Sequence, residues 1–172
     1  MCNESSPVSE TEGCNFDIDG YLKSAGCDRS TDYGFKENKP CVVLKMNKLY
    51  GFEPIPYDSE ADIKADLNSD EKFRYYSFAP GNVGVSCDGQ NAVDAMYLRD
   101  ITFFPTNGYD KKFFPYLNQV GYRSPIILAK FEDIEKGSTV QVRCMLWAKN
   151  IDSTDGKEKR GTVHFEFYIG LE

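Results

Sequence analysis

The chain has 172 residues, with 20 Lys and Arg against 27 Asp and Glu, a net charge of −7 and a single histidine. That length suits one domain with its own core, and the acidic balance disfavours binding to phosphate backbones or anionic lipid surfaces. No apolar run approaches the ~20 residues that span a bilayer, and the polar, acidic first twenty residues do not read as a secretory signal, so the chain reads as soluble.

The six cysteines, Cys2, Cys14, Cys27, Cys41, Cys87 and Cys144, include no Cys-x-x-Cys pair. Metal thiolates usually come in tight pairs because both must reach one ion at about 2.3 Å. An even count at wide spacing, with His164 as the one imidazole, predicts three disulfides and an oxidising compartment. A delivery signal or anchor is therefore expected outside this chain; Met1 reads as a cloning start and Leu171-Glu172 as a vector-derived tail.

Residues 1–40 are rich in Ser, Asp, Glu, Gly and Cys without periodicity, and read as loop held by covalent links; residues 41–170 read as the folded body. Asn3-Glu4-Ser5 is the only glycosylation sequon and marks Asn3 as a candidate glycan site. Asp17-Ile18-Asp19-Gly20 looks like the start of a calcium loop, but Leu22 stands where that loop needs Gly and Asp28 where it needs Glu, so an acidic loop is expected. From Cys41 to Tyr50 a β-branched start followed by alternation predicts a strand, stopped by Gly51, Pro54 and Pro56. Ser59 to Phe73 is the one helix expected, with Ser59 as cap, Glu60 and Asp62 in the first turn, and Ile63 and Leu67 on one face. So short a helix needs a sheet to pack on.

Short strands are expected at Phe73–Phe78, Val83–Cys87, Leu98–Phe104 and Ile126–Glu132. Thr139–Lys149 alternates with Val140, Val142, Cys144 and Leu146 on one face and Gln141, Arg143, Met145 and Trp147 on the other. Thr162–Ile169 alternates likewise, after a turn over residues 152–157. Six or seven such strands predict an antiparallel β-sandwich. Cys144 on an apolar face predicts a buried partner, Cys87, and a bond joining the two sheets across a separation of 57 residues. The pairing of the other four cysteines stays open, sequential closure being the least entangled choice.

Chemistry is sparse. His164 lies on the more polar face of its strand with no nucleophile motif, no phosphate loop opens a helix, and no carboxylates are marked as a pair. No enzyme, cofactor or metal site is expected. The candidate functional feature is the aromatic stretch Phe103, Phe104, Tyr109, Phe113, Phe114, Tyr116 and Tyr122, interrupted by Pro105, Gly108, Pro115 and Gly121. Such a stretch cannot bury every ring on one strand face, and rigid aromatics suit a protein-binding ridge. Part of it is expected to cap the core.

Asp32-Tyr33-Gly34-Phe35-Lys36-Glu37-Asn38-Lys39-Pro40-Cys41, Val42-Val43-Leu44-Lys45-Met46-Asn47-Lys48, Gly51-Phe52, Phe113-Phe114-Pro115-Tyr116-Leu117, Gly121-Tyr122, Ser124-Pro125, Val142-Arg143-Cys144, Trp147-Ala148-Lys149-Asn150 and the closing stretch from Lys157 to Phe165 together resemble the extracellular domain of the beta subunit of the sodium/potassium-transporting ATPase, in an invertebrate-like form. The resemblance implies one extracellular domain with an immunoglobulin-like sandwich, a short helix and a disulfide-stapled N-terminal region. It further implies sequential disulfides, and a single-pass type II plasma-membrane protein whose anchor precedes the domain. It implies a non-catalytic role: assisting folding, assembly and export of the catalytic alpha subunit and modulating potassium transport. Assembly would fall on Phe113, Phe114, Pro115, Tyr116 and Leu117, with Tyr122 beside them. Phe113 and Phe114 stand where tyrosines are usual in vertebrate members, and Leu117-Asn118-Gln119 where an aromatic, Gly and Lys would follow. The competing expectation is an independent cell-adhesion or junctional module that binds other cell-surface proteins.

Overall fold

The computed structural model describes residues 11, 13–14, 17–66, 74–153 and 160–171. Among the described residues seven strands form two antiparallel sheets: β1 (Cys41–Lys45), β2 (Tyr75–Ser77), β3 (Gly84–Gly89), β4 (Leu98–Phe104), β5 (Ile126–Ile134), β6 (Thr139–Trp147) and β7 (Thr162–Tyr168). One sheet has the order β1-β5-β4 and the other β2-β3-β6-β7. This mostly β architecture is the antiparallel sandwich expected from the spacing of the apolar runs, and it fits the immunoglobulin-like form implied by the resemblance.

The sheets meet through alternate residues of their central strands. Ile127, Ala129 and Phe131 of β5 and Val140, Val142 and Cys144 of β6 are all almost completely buried in one cluster. Phe131 reaches across to the opposite sheet. Its ring lies edge-on to Phe167 at 4.9 Å and to Phe165 at 5.9 Å, both on β7. Edge-to-face pairs at these separations contribute beyond the area they bury. At one side of the sandwich the edge strands β2 and β4 come together, where the Ser77 hydroxyl donates to Pro105 O (2.8 Å) and accepts from Gly108 N–H (2.8 Å). At the other side lie the edges β1 and β7.

Both central strands are also covered on their outer faces. Met145 and Trp147 of β6 pack with Tyr57 and Ile63, so the face expected to be open to solvent is open only at Thr139, Gln141 and, in part, Arg143. Ile63 belongs to α2 (Glu60–Asp66), which supplies the packing that so short a helix requires. Ser59 caps it as expected, its hydroxyl accepting from Asp62 N–H at 3.1 Å; Leu67 lies outside the described residues. On the other sheet, Leu128 packs with Ala25 and Cys27, with Tyr21 and Leu22 partly buried against them.

That second cover corrects the expectation of a purely irregular N-terminal region. Asp17, read as part of an acidic loop, is the N-cap of α1 (Ile18–Ser24), with Oδ1 accepting from Gly20 N–H at 3.0 Å. Asp28 caps a 3-10 segment, Arg29–Glu37, and Ser30 holds its carboxyl below the usual carboxylate range through side-chain and backbone hydrogen bonds. Three successive left-handed residues, Asp32, Tyr33 and Gly34, bend this segment back toward β1. Gly34 cannot be replaced without displacement, because a Cβ there would stand 2.0 Å from Lys39 O. A further helix not anticipated, α3 (Ala92–Tyr97), starts at Asn91, whose side chain accepts from Val93 and Asp94 N–H. It buries Asp94, whose Oδ1 accepts from Gln141 N–H at 3.1 Å.

Cys27 bonds to Cys41 and Cys87 to Cys144. Cys14 is buried and disulfide-bonded; its expected partner Cys2 and the candidate glycan site Asn3 lie outside the described residues. The Cys87–Cys144 pairing matches the expectation, but its expected role as a tie between sheets does not. Cys87 and Cys144 are directly opposite one another on the neighbouring strands β3 and β6 of one sheet, with Cα atoms 4.0 Å apart. Directly facing residues of an antiparallel pair lie close enough for such a bond without either sheet moving. Between the sheets the contact is made by packed core side chains, Phe131 among them, and by the Ser77 hydrogen bonds, not by this disulfide.

Two outcomes follow for stability. Phe131→Ala should lower the unfolding free energy by about 3–5 kcal/mol in denaturant titration. The paired variant Cys87→Ser/Cys144→Ser should lower it by about 2–4 kcal/mol, by releasing a 57-residue separation in the unfolded chain; both sheets should nonetheless persist in far-UV circular dichroism.

Candidate aromatic interface

The end of β4 and the chain from there to β5 carry the aromatic stretch, and the structure divides it. Phe103, Tyr109 and Phe114 are core residues, at most 6% exposed. Tyr109 is locked there by a bridge to Val83, with Tyr109 N–H donating to Val83 O at 2.8 Å and the reverse bond at 2.9 Å. Phe104 and Phe113 are half-buried. Of the residues expected at a partner interface, Phe114 thus serves the core, while Phe113, Pro115, Tyr116 and Leu117 are half-buried and Tyr122 is 9% exposed.

The loop's shape is set by local hydrogen bonds. Asp110 caps a single 3-10 turn, Lys111–Phe113, accepting from Lys112 N–H at 2.9 Å. Both Phe104–Pro105 and Phe114–Pro115 are cis peptides. Gln119 then braces the loop from within: its Nε2 donates to Pro115 O (3.0 Å) and its Oε1 accepts from Leu117 N–H (2.9 Å). The Tyr116 hydroxyl donates to Asn118 Oδ1 (2.9 Å), and Asn118 itself is left-handed. This brace brings Tyr116 and Tyr122 together with ring centroids 4.9 Å apart. Lys48 Nζ sits 5.4 Å from one ring centroid and 5.5 Å from the other, a shared cation–π contact. Burial, and after it the neighbouring Tyr116, raises the Tyr122 phenol above its usual range.

Two flanking segments complete the surface, and neither was evident from the sequence. The chain after β1 runs beside the loop, with Gly51 N–H donating to Tyr116 O at 2.9 Å and Tyr50 bridging Tyr116. This leaves Leu49 54% and Tyr50 75% exposed. On the other flank Val120, 84% exposed, exchanges backbone hydrogen bonds with Thr11 and Gly13. Gly13 approaches so closely that a Cβ would lie 2.5 Å from Tyr122 Cα. The result is an apolar surface of Leu49, Tyr50 and Val120 around the Tyr116–Tyr122 pair. The signal available in the sequence was only the aromatic-Pro-aromatic run; the flanks depend on which distant segments fold beside it.

Other residues weighed for chemistry do not converge. His164 is exposed on β7, its Nδ1 3.4 Å from Gln90 Oε1. Among the described residues no group of three or more His, Cys, Asp and Glu gathers as a metal site, and no helix is long and apolar enough to cross a membrane.

Burial of Tyr109 raises its phenol far above the usual range. In the unfolded chain the same phenol ionises near pH ~10, so between that value and the higher folded one the unfolded state sheds a proton that the folded state keeps. The stability tied to Tyr109 is therefore complete below about pH 10 and declines as pH rises further. Tyr109→Phe should fold normally and show a shallower loss of stability between pH 9 and 11 than the parent, read by denaturant titration across about that range.

Comparison with known proteins assigns the whole scaffold. The family model described as "Sodium / potassium ATPase beta chain" matches residues 2–165. The Drosophila melanogaster sodium/potassium-transporting ATPase subunit beta-1 is 32% identical over 98% of this chain and 54% of its own length. A probable sodium/potassium-transporting ATPase subunit beta-3 of Caenorhabditis briggsae is 33% identical over 91% of this chain and 45% of its own length. The human subunit beta-2 is 29% identical over 91% of this chain and 48% of its own length. The chain spans about half the length of the curated relatives it matches. With its two-sheet sandwich, its disulfides and a family match running through the aromatic loop, the chain belongs to the sodium/potassium ATPase beta chain family.

Proposed function

We propose that this chain is the extracellular domain of a non-catalytic beta subunit, anchored in the plasma membrane as a single-pass type II protein. In this reading it assists folding, assembly and delivery of the catalytic alpha subunit of a sodium/potassium pump and modulates potassium transport. The observation that carries the reading is the exposed apolar surface fixed around the aromatic loop of a beta-chain scaffold. Tyr50 is three-quarters exposed although it sits on a braced backbone, and a large rigid ring held out of the core suits a partner's surface.

The half-buried Phe113, Pro115, Tyr116 and Leu117 give that surface its contour, and buried Phe114 holds the loop to the core. Contact would therefore come chiefly from Leu49, Tyr50 and Val120 and from the outer faces of Tyr116 and Leu117. Replacing Phe114 would confound a binding test by disturbing the core.

Coexpression of the full-length subunit with a sodium/potassium pump alpha subunit tests the reading. The double variant Tyr50→Ala/Val120→Asp should keep the thermal midpoint of the parent, since both side chains are exposed, and should lose at least tenfold in copurified alpha subunit. Undiminished copurification of that variant would remove the interface from this surface. Failure of the parent to copurify would favour the adhesion module, which cell aggregation in the absence of pump assembly would then identify.

A further inference from the structure

The two sheets leave unequal edges. β2 and β4 meet one another at the closed side of the sandwich, and β1 is a five-residue edge that ends in Lys45. β7 is the last strand of its sheet, seven residues long, and contains no Pro, Lys or Arg. Its pairing with β6 runs from Thr162 to Tyr168 without a bulge. Prolines, lysines and bulges are the devices by which edge strands commonly resist pairing with another chain, and β7 has none of them.

The direction of its outward groups follows from the pairing with β6. Gly161 O accepts from Leu146 N–H at 2.8 Å, and the same register sets Cys144 opposite Val163, Val142 opposite Phe165 and Val140 opposite Phe167. Bonded and non-bonded pairs alternate in an antiparallel ladder. These odd-numbered residues therefore bond to β6, whereas His164, Glu166 and Tyr168 aim their N–H and C=O at the free edge. All three are exposed, Tyr168 by 66%, and Val163 on the inner face is 46% exposed.

A second β7 added antiparallel about a two-fold axis must set even-numbered residues opposite even-numbered ones to form a ladder. Centred on Glu166, it would oppose two carboxylates; centred on His164, it would oppose two imidazoles and leave strand ends unmatched. Centred on Phe165, the midpoint of β7, it gives all seven residues a partner. That register sets His164 opposite Glu166 of the second copy, a pair that symmetry repeats, with Val163 facing Phe167 on the inner side.

We propose that β7 is a self-pairing edge: two copies of this chain join their β7 strands antiparallel about Phe165, fusing two four-stranded sheets into one. The occupant is a second copy because this strand carries both halves of a complementary pattern. An imidazole donates to a carboxylate whether neutral or protonated, and complementary pairs facing across strands add stability where like charges subtract it. None of these residues belongs to the aromatic surface, so the pairing does not depend on the function proposed above.

Sedimentation velocity of the oxidised 172-residue chain over a concentration series tests the pairing. The parent should pass from monomer to dimer as concentration rises. His164→Glu should weaken the dimer about tenfold, since both symmetry-related pairs become carboxylate against carboxylate. Among the three registers only the one centred on Phe165 regains its complementary pairs in the exchange variant His164→Glu/Glu166→His, which should recover the dimerisation constant of the parent. Both positions are exposed, so the thermal midpoint of the monomer should not change. A parent that stays monomeric to its solubility limit, a His164→Glu chain that dimerises as the parent does, or an exchange variant as weak as His164→Glu would each overturn the proposal.

Discussion

Everything in this domain depends on two strands that are buried on both faces. The inner residues of β5 and β6 press the sheets together, and Phe131 crosses the gap to lie edge-on against Phe165 and Phe167. Their outer faces are covered in turn, Leu128 by the stapled N-terminal region and Met145 with Trp147 by Tyr57 and the helix that carries Ile63. The N-terminal region is therefore a packed layer in its own right. Cys27–Cys41 ties it to the start of β1, and Lys130 Nζ donates to Ala25 O at 3.2 Å from β5 beneath.

Double burial also explains which parts of the fold were legible in the sequence. Strands with one wet face, such as β7, announce themselves by alternation, since His164, Glu166 and Tyr168 all remain exposed. Ile126–Phe131 reads instead as a nearly unbroken apolar run, as strands covered on both sides do. The periodicity of β6 held on its inner face and failed at Met145 and Trp147, where a distant helix supplies a cover that no local pattern encodes. Asp17 was seen as acidic but not as a cap, because a capping carboxylate and a loop carboxylate differ only in what the next three residues do. The cross-strand disulfide was paired correctly from burial alone; its place within one sheet depends on strand order, which apolar spacing does not specify.

The aromatic loop shows the same division. Its run of rings and prolines was visible, yet the outcome for each ring follows from tertiary neighbours: Val83 claims Tyr109 for the core, while the Gln119 brace and Lys48 hold Tyr116 against Tyr122. Tyr50, about seventy residues away in the chain, becomes part of the surface through its bridge to Tyr116. A rigid core placed directly beneath an exposed apolar surface is an economical arrangement for a subunit whose proposed task is to be recognised by another protein. The surface needs little ordering on association, so less of the contact energy is lost to entropy.

The most direct measurement is amide hydrogen exchange on the full-length subunit, alone and bound to a sodium/potassium pump alpha subunit. New protection should concentrate at residues 48–51 and 113–122, with β2, β3 and α3 unchanged. Protection confined to other surfaces, with residues 48–51 and 113–122 exchanging as in the free subunit, would contradict the proposed interface.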